Sequence, residues 1–68
     1  MIARDKFKIG QEVKPTRKCR DALKFDEKIR GYVVGFRRSF PCDVLIEHDG
    51  ADTAGEFHMD LWELVDDG

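Results

Sequence analysis

The residues of this chain whose types and spacing most clearly indicate a binding chemistry are its clustered Lys and Arg residues. Phosphate groups are bound where several cationic side chains converge on one face, and loops at strand ends can present them. Four cations fall within seven positions and a pair stands further along, so the spacing predicts nucleic-acid contacts at Lys14, Arg17, Lys18, Arg20, Arg37 and Arg38. The first cluster continues into Lys24, Lys28 and Arg30.

Aromatic side chains close to these cations add a second element of recognition. Unpaired bases stack on exposed aromatic rings, for which Phe25, Tyr32 and Phe40 are candidates. The candidate aromatic contacts are Tyr32, Phe40 and Trp62, the last as an exposed anchor in a binding groove. Trp62 has a second interpretation, because a single tryptophan near the end of a small domain is commonly its largest core residue. Both interpretations of Trp62 stay open at the level of sequence.

The distribution of charge limits how freely the cations can act. All 12 Lys and Arg residues lie in positions 1–38 beside five acids, a net charge of +7, whereas positions 39–68 hold nine acids and neither Lys nor Arg, a net charge of −9. Strands from the two halves interleave in a small barrel, so cations and carboxylates can neutralise each other across strands. The sequence leaves two alternatives, a segregated basic surface or a surface of mixed ion pairs.

The other reactive side chains are not spaced for catalysis or metal binding. Cys19, Cys42, His48 and His58 offer a set of four ligands, but no close pair such as Cys-x-x-Cys starts a metal site. None of the four Ser, Thr and Tyr side chains neighbours a histidine, and no nucleotide or hydrolase motif is present. We therefore expect no metal, no cofactor and no catalysis within a single subunit.

Length and composition indicate one domain. A chain of 68 residues supports a single core, so residues 1–68 are predicted to form one unit. No apolar run of about 18 residues exists to span a membrane, and the N-terminus lacks the apolar segment of a signal peptide. Two cysteines are few for a secreted scaffold, so we expect a cytoplasmic protein with reduced thiols. Burial is marginal at this size, which favours homo-oligomerisation as a supplement.

Alternating apolar residues predict five short strands joined by turns. The first strand places Phe7, Ile9 and Val13 on one face, has a turn or bulge at Gly10, and ends at Pro15. The charged residues 16–28 that follow are predicted to form a long loop. The alternative is a helix over residues 19–28 in a small α+β fold.

The second strand, Ile29 to Arg38, is the clearest of the five. Gly31 and Gly35 leave one of its faces nearly flat, which suits a bent strand that another strand crosses closely. Three further segments complete the prediction: a strand over 43–48 with Val44 and Ile46 inward, a short strand over 56–59, and a helical turn leading into a terminal strand over 60–65. The predicted class is all-β, a small five-stranded antiparallel barrel.

This pattern resembles the SH3-like small barrels. Phe7-x-Ile9-Gly10-x-x-Val13 is similar to their first strand, and Gly31-Tyr32-Val33-Val34-Gly35-Phe36 to their second. Val44 to Glu47 is similar to the third strand, and Asp60 to Val65 to the helical turn and closing strand. The resemblance covers about two-thirds of the chain and implies a fold that commonly serves as a binding module.

The chain also resembles the subunit of the plasmid-borne type II dihydrofolate reductases. The shared features are its length, the Phe-x-x-Gly-x-x-Val opening at Phe7, and the glycine-flanked strand from Gly31 to Phe36. That family lines the pore of a homotetramer with a Val-Gln-Ile-Tyr stretch near the penultimate strand. This chain has Gly55-Glu56-Phe57-His58-Met59 there and adds the charged segment 16–28.

Three functions follow from the sequence. The first is a non-enzymatic binding module that contacts nucleic acid through the clustered cations. The second is a protein-interaction or regulatory module that docks on a larger complex. The third, implied by the resemblance to the reductases, is an oligomeric enzyme whose site forms between subunits.

Overall fold

The computed structural model describes residues 2–65. Short elements follow one another in the order α1 (Ala3–Lys6), β1 (Glu12–Pro15), α2 (Arg17–Leu23), β2 (Gly31–Phe36), β3 (Asp43–His48), β4 (Gly55–His58), a 3₁₀ turn (Met59–Leu61) and β5 (Trp62–Leu64). The helical turn predicted before the terminal strand is confirmed as the 3₁₀ turn. Over these residues, no helix is long and apolar enough to cross a membrane.

The five strands form one antiparallel sheet in the order β4-β3-β2-β1-β5. The predicted number of strands and their antiparallel pairing are therefore confirmed. Residues 2–65 are mostly β but also contain α1 and α2, so the fold is not all-β, and the predicted closure into a barrel is wrong. Within residues 2–65, β4 and β5 do not pair, so both remain edges of the sheet. The 3₁₀ turn joins these two strands directly and carries β5 across to β1, where Trp62 lies opposite Pro15.

The core lies on the inner face of this sheet. Alternation along the strands explains its composition, since Val33 on β2 and Val44 and Ile46 on β3 point inward and are buried. The N-terminal segment, β1, the 3₁₀ turn and β5 add the rest, so that the core comprises Ala3, Phe7, Val13, Val33, Val44, Ile46, Met59 and Trp62. The inward placement predicted for Val44 and Ile46 is confirmed.

Gly31 lies close against its paired strand, β3. A Cβ atom on Gly31 would lie 2.8 Å from Ile46 Cγ2 and 3.0 Å from the Glu47 carbonyl oxygen. β3 therefore leaves no room for a side chain there. Between Val33 and Gly35 the register shifts by a bulge, which bends β2 and leaves Val34 on the outer face.

The predicted long loop over residues 16–28 contains α2 in its first half. Thr16 caps the helix, because its Oγ1 accepts a hydrogen bond from the Cys19 N–H at 3.3 Å. Cys19 anchors the helix in the interior, and Lys24, in the left-handed conformation with φ of 59°, ends it. A helix was the alternative prediction, at residues 19–28. The structure begins it earlier, at Arg17, because the cap lies at Thr16.

The N-terminal segment differs from the predicted strand. α1 occupies Ala3–Lys6, and Gly10 forms a turn with φ of 95° before β1 begins at Glu12. Phe7 and Val13 are buried, whereas Ile9 is 67% exposed. The prediction that Ile9 shares a strand face with Phe7 and Val13 was wrong, because Ile9 lies in the turn rather than in a strand.

Candidate functional site

The structure divides the six predicted cations between the two ends of β2. Arg37 and Arg38 follow the last residue of β2, whereas Lys14 and the helix α2 lie near its first residue, since Gly31 pairs with Val13. A strand of six residues at about 3.3 Å per residue extends about 20 Å. The cations therefore form two separate groups.

The first group is partly neutralised. Lys14 Nζ lies 3.6 Å from Glu63 Oε1 on β5, and Arg17 Nε lies 3.8 Å from Asp21 Oδ2 on the same helix. Arg17 and Lys18 are exposed. Both residues lie on α2, and neither lines the cavity near Arg37 and Arg38.

The second group combines arginines with aromatic rings. Arg37 Nη1 lies 3.2 Å from Glu56 Oε1, and its Cζ lies 5.8 Å from the centroid of the Phe40 ring. The Phe40 side chain is 55% exposed, so much of its ring faces solvent. Arg38 is exposed and makes no ion pair with any residue in 2–65.

The N-terminal helix brings a third arginine to this group. The Ala3 N–H donates a hydrogen bond to the Pro41 carbonyl oxygen at 2.7 Å, which holds α1 against the loop between β2 and β3. Arg4 is thereby placed with its Cζ 5.9 Å from the centroid of the Phe36 ring. Both arginine–aromatic distances lie within the range of cation–π attraction.

Arg4, Arg37 and Arg38 converge on a shallow cavity of about 110 Å³, whose lining is completed by Ile2, Phe36 and Pro41. We call Arg4, Phe36, Arg37, Arg38 and Phe40 the arginine–aromatic site. Three arginines line one small cavity, and one carboxylate, Glu56, forms an ion pair with Arg37. This arrangement can hold an anion in the cavity and stack a planar group on the exposed Phe40 ring.

Arg37, Arg38 and Phe40 of this site were predicted from the sequence, whereas Arg4 and Phe36 were not. No sequence feature indicates Arg4, because its position depends on a hydrogen bond between Ala3 and Pro41 that joins distant segments. Phe36 could have been predicted, since it ends the clearest strand directly before the two arginines.

A pair of carboxyl groups borders the site. The pKa of Glu56 on β4 is raised, first by hydrogen bonding with Asp43 on β3 and then by desolvation, while the Arg37 guanidinium opposes this rise. Protonation of Glu56 removes the carboxylate charge that lies 3.2 Å from Arg37 Nη1.

Two of the predicted aromatic contacts lie outside the arginine–aromatic site. Tyr32 is 53% exposed on the outer face of β2, between Glu12 on β1 and Glu47 on β3, where two carboxylates repel a phosphate backbone. Trp62 is fully buried, so its placement as an exposed contact was wrong and its interpretation as a core residue is confirmed. It packs against the rings of Phe25 and Phe57, at centroid distances of 6.1 and 5.3 Å.

The cysteines and histidines are placed apart. Neither Cys19 nor Cys42 forms a disulfide within residues 2–65, and burial raises the pKa of Cys19. His48 packs in the aromatic cluster of Trp62, whereas His58 lies beside Asp60 at the 3₁₀ turn. Across residues 2–65, no three His, Cys, Asp or Glu side chains are grouped so that they could hold a metal ion.

Comparisons with protein-family models, with curated proteins and with solved structures found no match to this chain. The fold and the site therefore define its class by themselves. The chain is a small, mostly β protein with one open five-stranded sheet and a cationic, aromatic surface site at one end of it.

Proposed function

We propose that the protein is a binding module for single-stranded nucleic acid and that the strand contacts the arginine–aromatic site. The observation that carries the proposal is the convergence of Arg4, Arg37 and Arg38 on one cavity beside the exposed ring of Phe40. A guanidinium group binds phosphate oxygens in a bidentate geometry. An exposed ring accepts any unpaired base by stacking.

Local charge is what would drive this binding. The whole chain has a net charge of −2, so it attracts a polyanion only through a surface where cations outnumber carboxylates. Arg4 and Arg38 meet this requirement, because neither forms an ion pair with a residue in 2–65. Phe40 favours a single strand over a duplex, in which the bases are already stacked.

Fluorescence anisotropy with a labelled oligonucleotide of about 12 nucleotides tests the proposal at about 50 mM and about 200 mM salt. We expect Arg38→Gln to weaken binding by about tenfold and to reduce the salt slope by about one. Phe40→Ala should weaken binding by a factor of about 5 to 150, the equivalent of losing one stacked base. A duplex of the same sequence should bind more weakly.

Arg17→Gln is the matched control, since it also removes one arginine charge but lies on α2, away from the cavity. It should leave the affinity nearly unchanged. Absence of binding at the lower salt concentration, or an equal loss in Arg17→Gln and Arg38→Gln, would overturn the proposal.

An SH3-like architecture is the finer assignment that we propose for the fold. Its support is the strand order β4-β3-β2-β1-β5 and the 3₁₀ turn immediately before β5. An experimental structure would test it by the path of the sheet around the core. A flat sheet without the curvature of a small barrel would contradict the assignment.

A protein partner is the second candidate function, favoured by the outer face of β2. Tyr32 and Val34 are 53% and 41% exposed there, with Glu12 and Glu47 on the flanking strands. An apolar strip with acidic flanks suits a basic amphipathic segment. Binding of a synthetic peptide of that type should be lost in Tyr32→Ser and retained in Arg38→Gln, and the reverse pattern would reject this candidate.

A further inference from the structure

A second basic groove lies at the opposite end of β2 from the arginine–aromatic site. It has a volume of about 290 Å³ and is lined by Lys14, Arg20, Glu27, Lys28, Arg30 and Glu63. Its walls come from β1, α2, the segment before β2, and β5. We call it the Arg20–Arg30 groove.

The two arginines of this groove are positioned by main-chain carbonyl groups. Arg20 Nη1 donates a hydrogen bond to the Pro15 carbonyl oxygen at 3.1 Å. Arg30 Nη1 donates to the carbonyl oxygens of Glu27 and Ile29, both at 2.9 Å. Both side chains are half-buried. Carbonyl oxygens fix the direction of a guanidinium without cancelling its charge, so the remaining N–H donors are oriented before any ligand arrives.

Within residues 2–65, no carboxylate forms an ion pair with the Arg20 or Arg30 guanidinium. Glu63 lies against Lys14, with 3.6 Å between Oε1 and Nζ. Asp49 accepts a hydrogen bond from the Arg30 main-chain N–H at 3.3 Å rather than from its guanidinium. Lys28 is exposed and makes no ion pair with any residue in 2–65. Four cations and two carboxylates line the groove, which gives it an excess of two positive charges.

We propose that the Arg20–Arg30 groove is a phosphate-binding site, distinct from the arginine–aromatic site. A phosphate group presents three or four acceptor oxygens and up to two negative charges, which match the oriented guanidinium donors and the excess charge. The Nη2 and Nε donors of Arg20 and Arg30 contact these oxygens, and Lys28 adds a mobile point charge at the rim. A polynucleotide backbone and a free phosphorylated ligand share this chemistry.

Side-chain and main-chain ¹H–¹⁵N spectra of the full chain, titrated with inorganic phosphate against chloride at constant ionic strength, test the proposal. We expect saturable shifts at residues 14–20 and 27–30, including the Nε–H signals of Arg20 and Arg30. Arg30→Gln should weaken phosphate binding by about tenfold or more, the usual effect of losing a charge-assisted hydrogen bond. Arg17→Gln, a matched control outside the groove, should titrate like the unaltered chain.

Lys28→Gln keeps the test valid if Arg30→Gln fails to fold, because the Lys28 side chain makes no hydrogen bond or ion pair within residues 2–65. It should weaken phosphate binding by several-fold. Non-saturating shifts spread over all cationic residues, or titrations unchanged in both Arg30→Gln and Lys28→Gln, would overturn the proposal.

Two further titrations distinguish the source of the phosphate and separate this proposal from the proposed function. A 5′-phosphorylated mononucleotide that shifts the groove assigns it to free phosphorylated ligands. Groove shifts produced by an oligonucleotide lacking terminal phosphates, without shifts from the mononucleotide, assign it to the polynucleotide backbone. Arg38→Gln should leave inorganic phosphate binding intact, so either site can fail while the other stands.

Discussion

Lys6 and Trp62 connect the beginning of the chain to its last strand. Lys6 Nζ donates hydrogen bonds to the carbonyl oxygens of Trp62 at 3.1 Å and of Met59 at 3.0 Å. One ammonium group thus binds both ends of the 3₁₀ turn that leads into β5. Because β5 is an edge strand, the charged side chain also occupies an acceptor that another strand would otherwise reach.

Lys6→Met should destabilise the protein by about 1–3 kcal/mol, because hydrogen bonds to a charged donor are lost while the apolar stem is kept. In a domain of this size the unfolding temperature falls by about 4–8 °C for each kcal/mol. Lys8→Met is the control, since the exposed Lys8 side chain makes no contact of this kind within residues 2–65. Its free energy of unfolding should change by less than about 0.5 kcal/mol. Equal losses in the two variants would contradict the role of Lys6.

Gly31→Ala should cost about 1–3 kcal/mol by overpacking. The added Cβ would lie 2.8 Å from Ile46 Cγ2 and 3.0 Å from the Glu47 carbonyl oxygen, and the latter cannot move without moving β3. Gly35→Ala is the matched control in the same strand, where the nearest atom is the terminal Leu45 Cδ1 at 3.3 Å. Chemical denaturation should rank Gly31→Ala well below Gly35→Ala in stability. The opposite order would show that β2 and β3 are not packed as described.

Glu56→Gln should change how stability depends on pH. The hydrogen bond to Asp43 raises the pKa of Glu56 above its ordinary value of 4.5, so the folded chain binds this proton more tightly than the unfolded chain does. The resulting stabilisation is fully present below that ordinary value and is lost as the pH rises through the raised pKa. Thermal unfolding between about pH 4 and about pH 7 should therefore show a smaller decline in Glu56→Gln than in the unaltered chain.

Glu47→Gln provides the control for this pH series, because Glu47 is exposed on the neighbouring strand and forms no ion pair within residues 2–65. Its profile should run parallel to that of the unaltered chain. If the Glu56→Gln profile also runs parallel, the interaction of Glu56 with Asp43 does not contribute to the pH dependence of stability.

The two thiols should differ strongly in their rate of alkylation. Cys19 is fully buried and its pKa is raised by desolvation, with the nearby Arg20 charge opposing, so little thiolate is accessible at neutral pH. Cys42 is half-buried in the loop before β3. Mass spectrometry during iodoacetamide treatment should show modification of Cys42 first and of Cys19 only as the protein unfolds. Faster alkylation of Cys19 than of Cys42 would show that the α2 face carrying Cys19 is not buried as described.

Local patterns predicted the parts of the fold that depend on neighbouring residues. Alternation was sufficient to find Val44 and Ile46 on the inner face of β3, and Gly31 indicated where another strand passes closely. Contacts between distant segments were beyond such patterns. α2 spans Arg17–Leu23, about two turns. A helix this short shows too few repeats of the helical period to be distinguished from a charged loop by sequence alone.

The residues of the candidate site likewise fall into those that local sequence predicts and those that depend on contacts between distant segments. Arg37, Arg38 and Phe40 are sequence neighbours that one loop holds together, and their grouping was predictable. Arg4 reaches them only through the packing of α1, and Trp62 could be assigned to the core only once Phe25 and Phe57 were seen around it. The separation of the cations into two groups depends on the register between β1 and β2. This register cannot be predicted from amino-acid composition.

The position of Arg30 and Arg37 at opposite ends of β2 has a consequence for avidity. A ligand shorter than about 20 Å can occupy one basic site at a time, whereas a longer polyanion can occupy both if its path avoids Glu12 and Glu47. The second contact then becomes intramolecular, with an effective concentration in about the millimolar range. If both sites bind as proposed, affinity for oligonucleotides rises in a step at the length that spans β2. The length at that step reports the distance between the two sites, and the height of the step reports the effective concentration of the second contact.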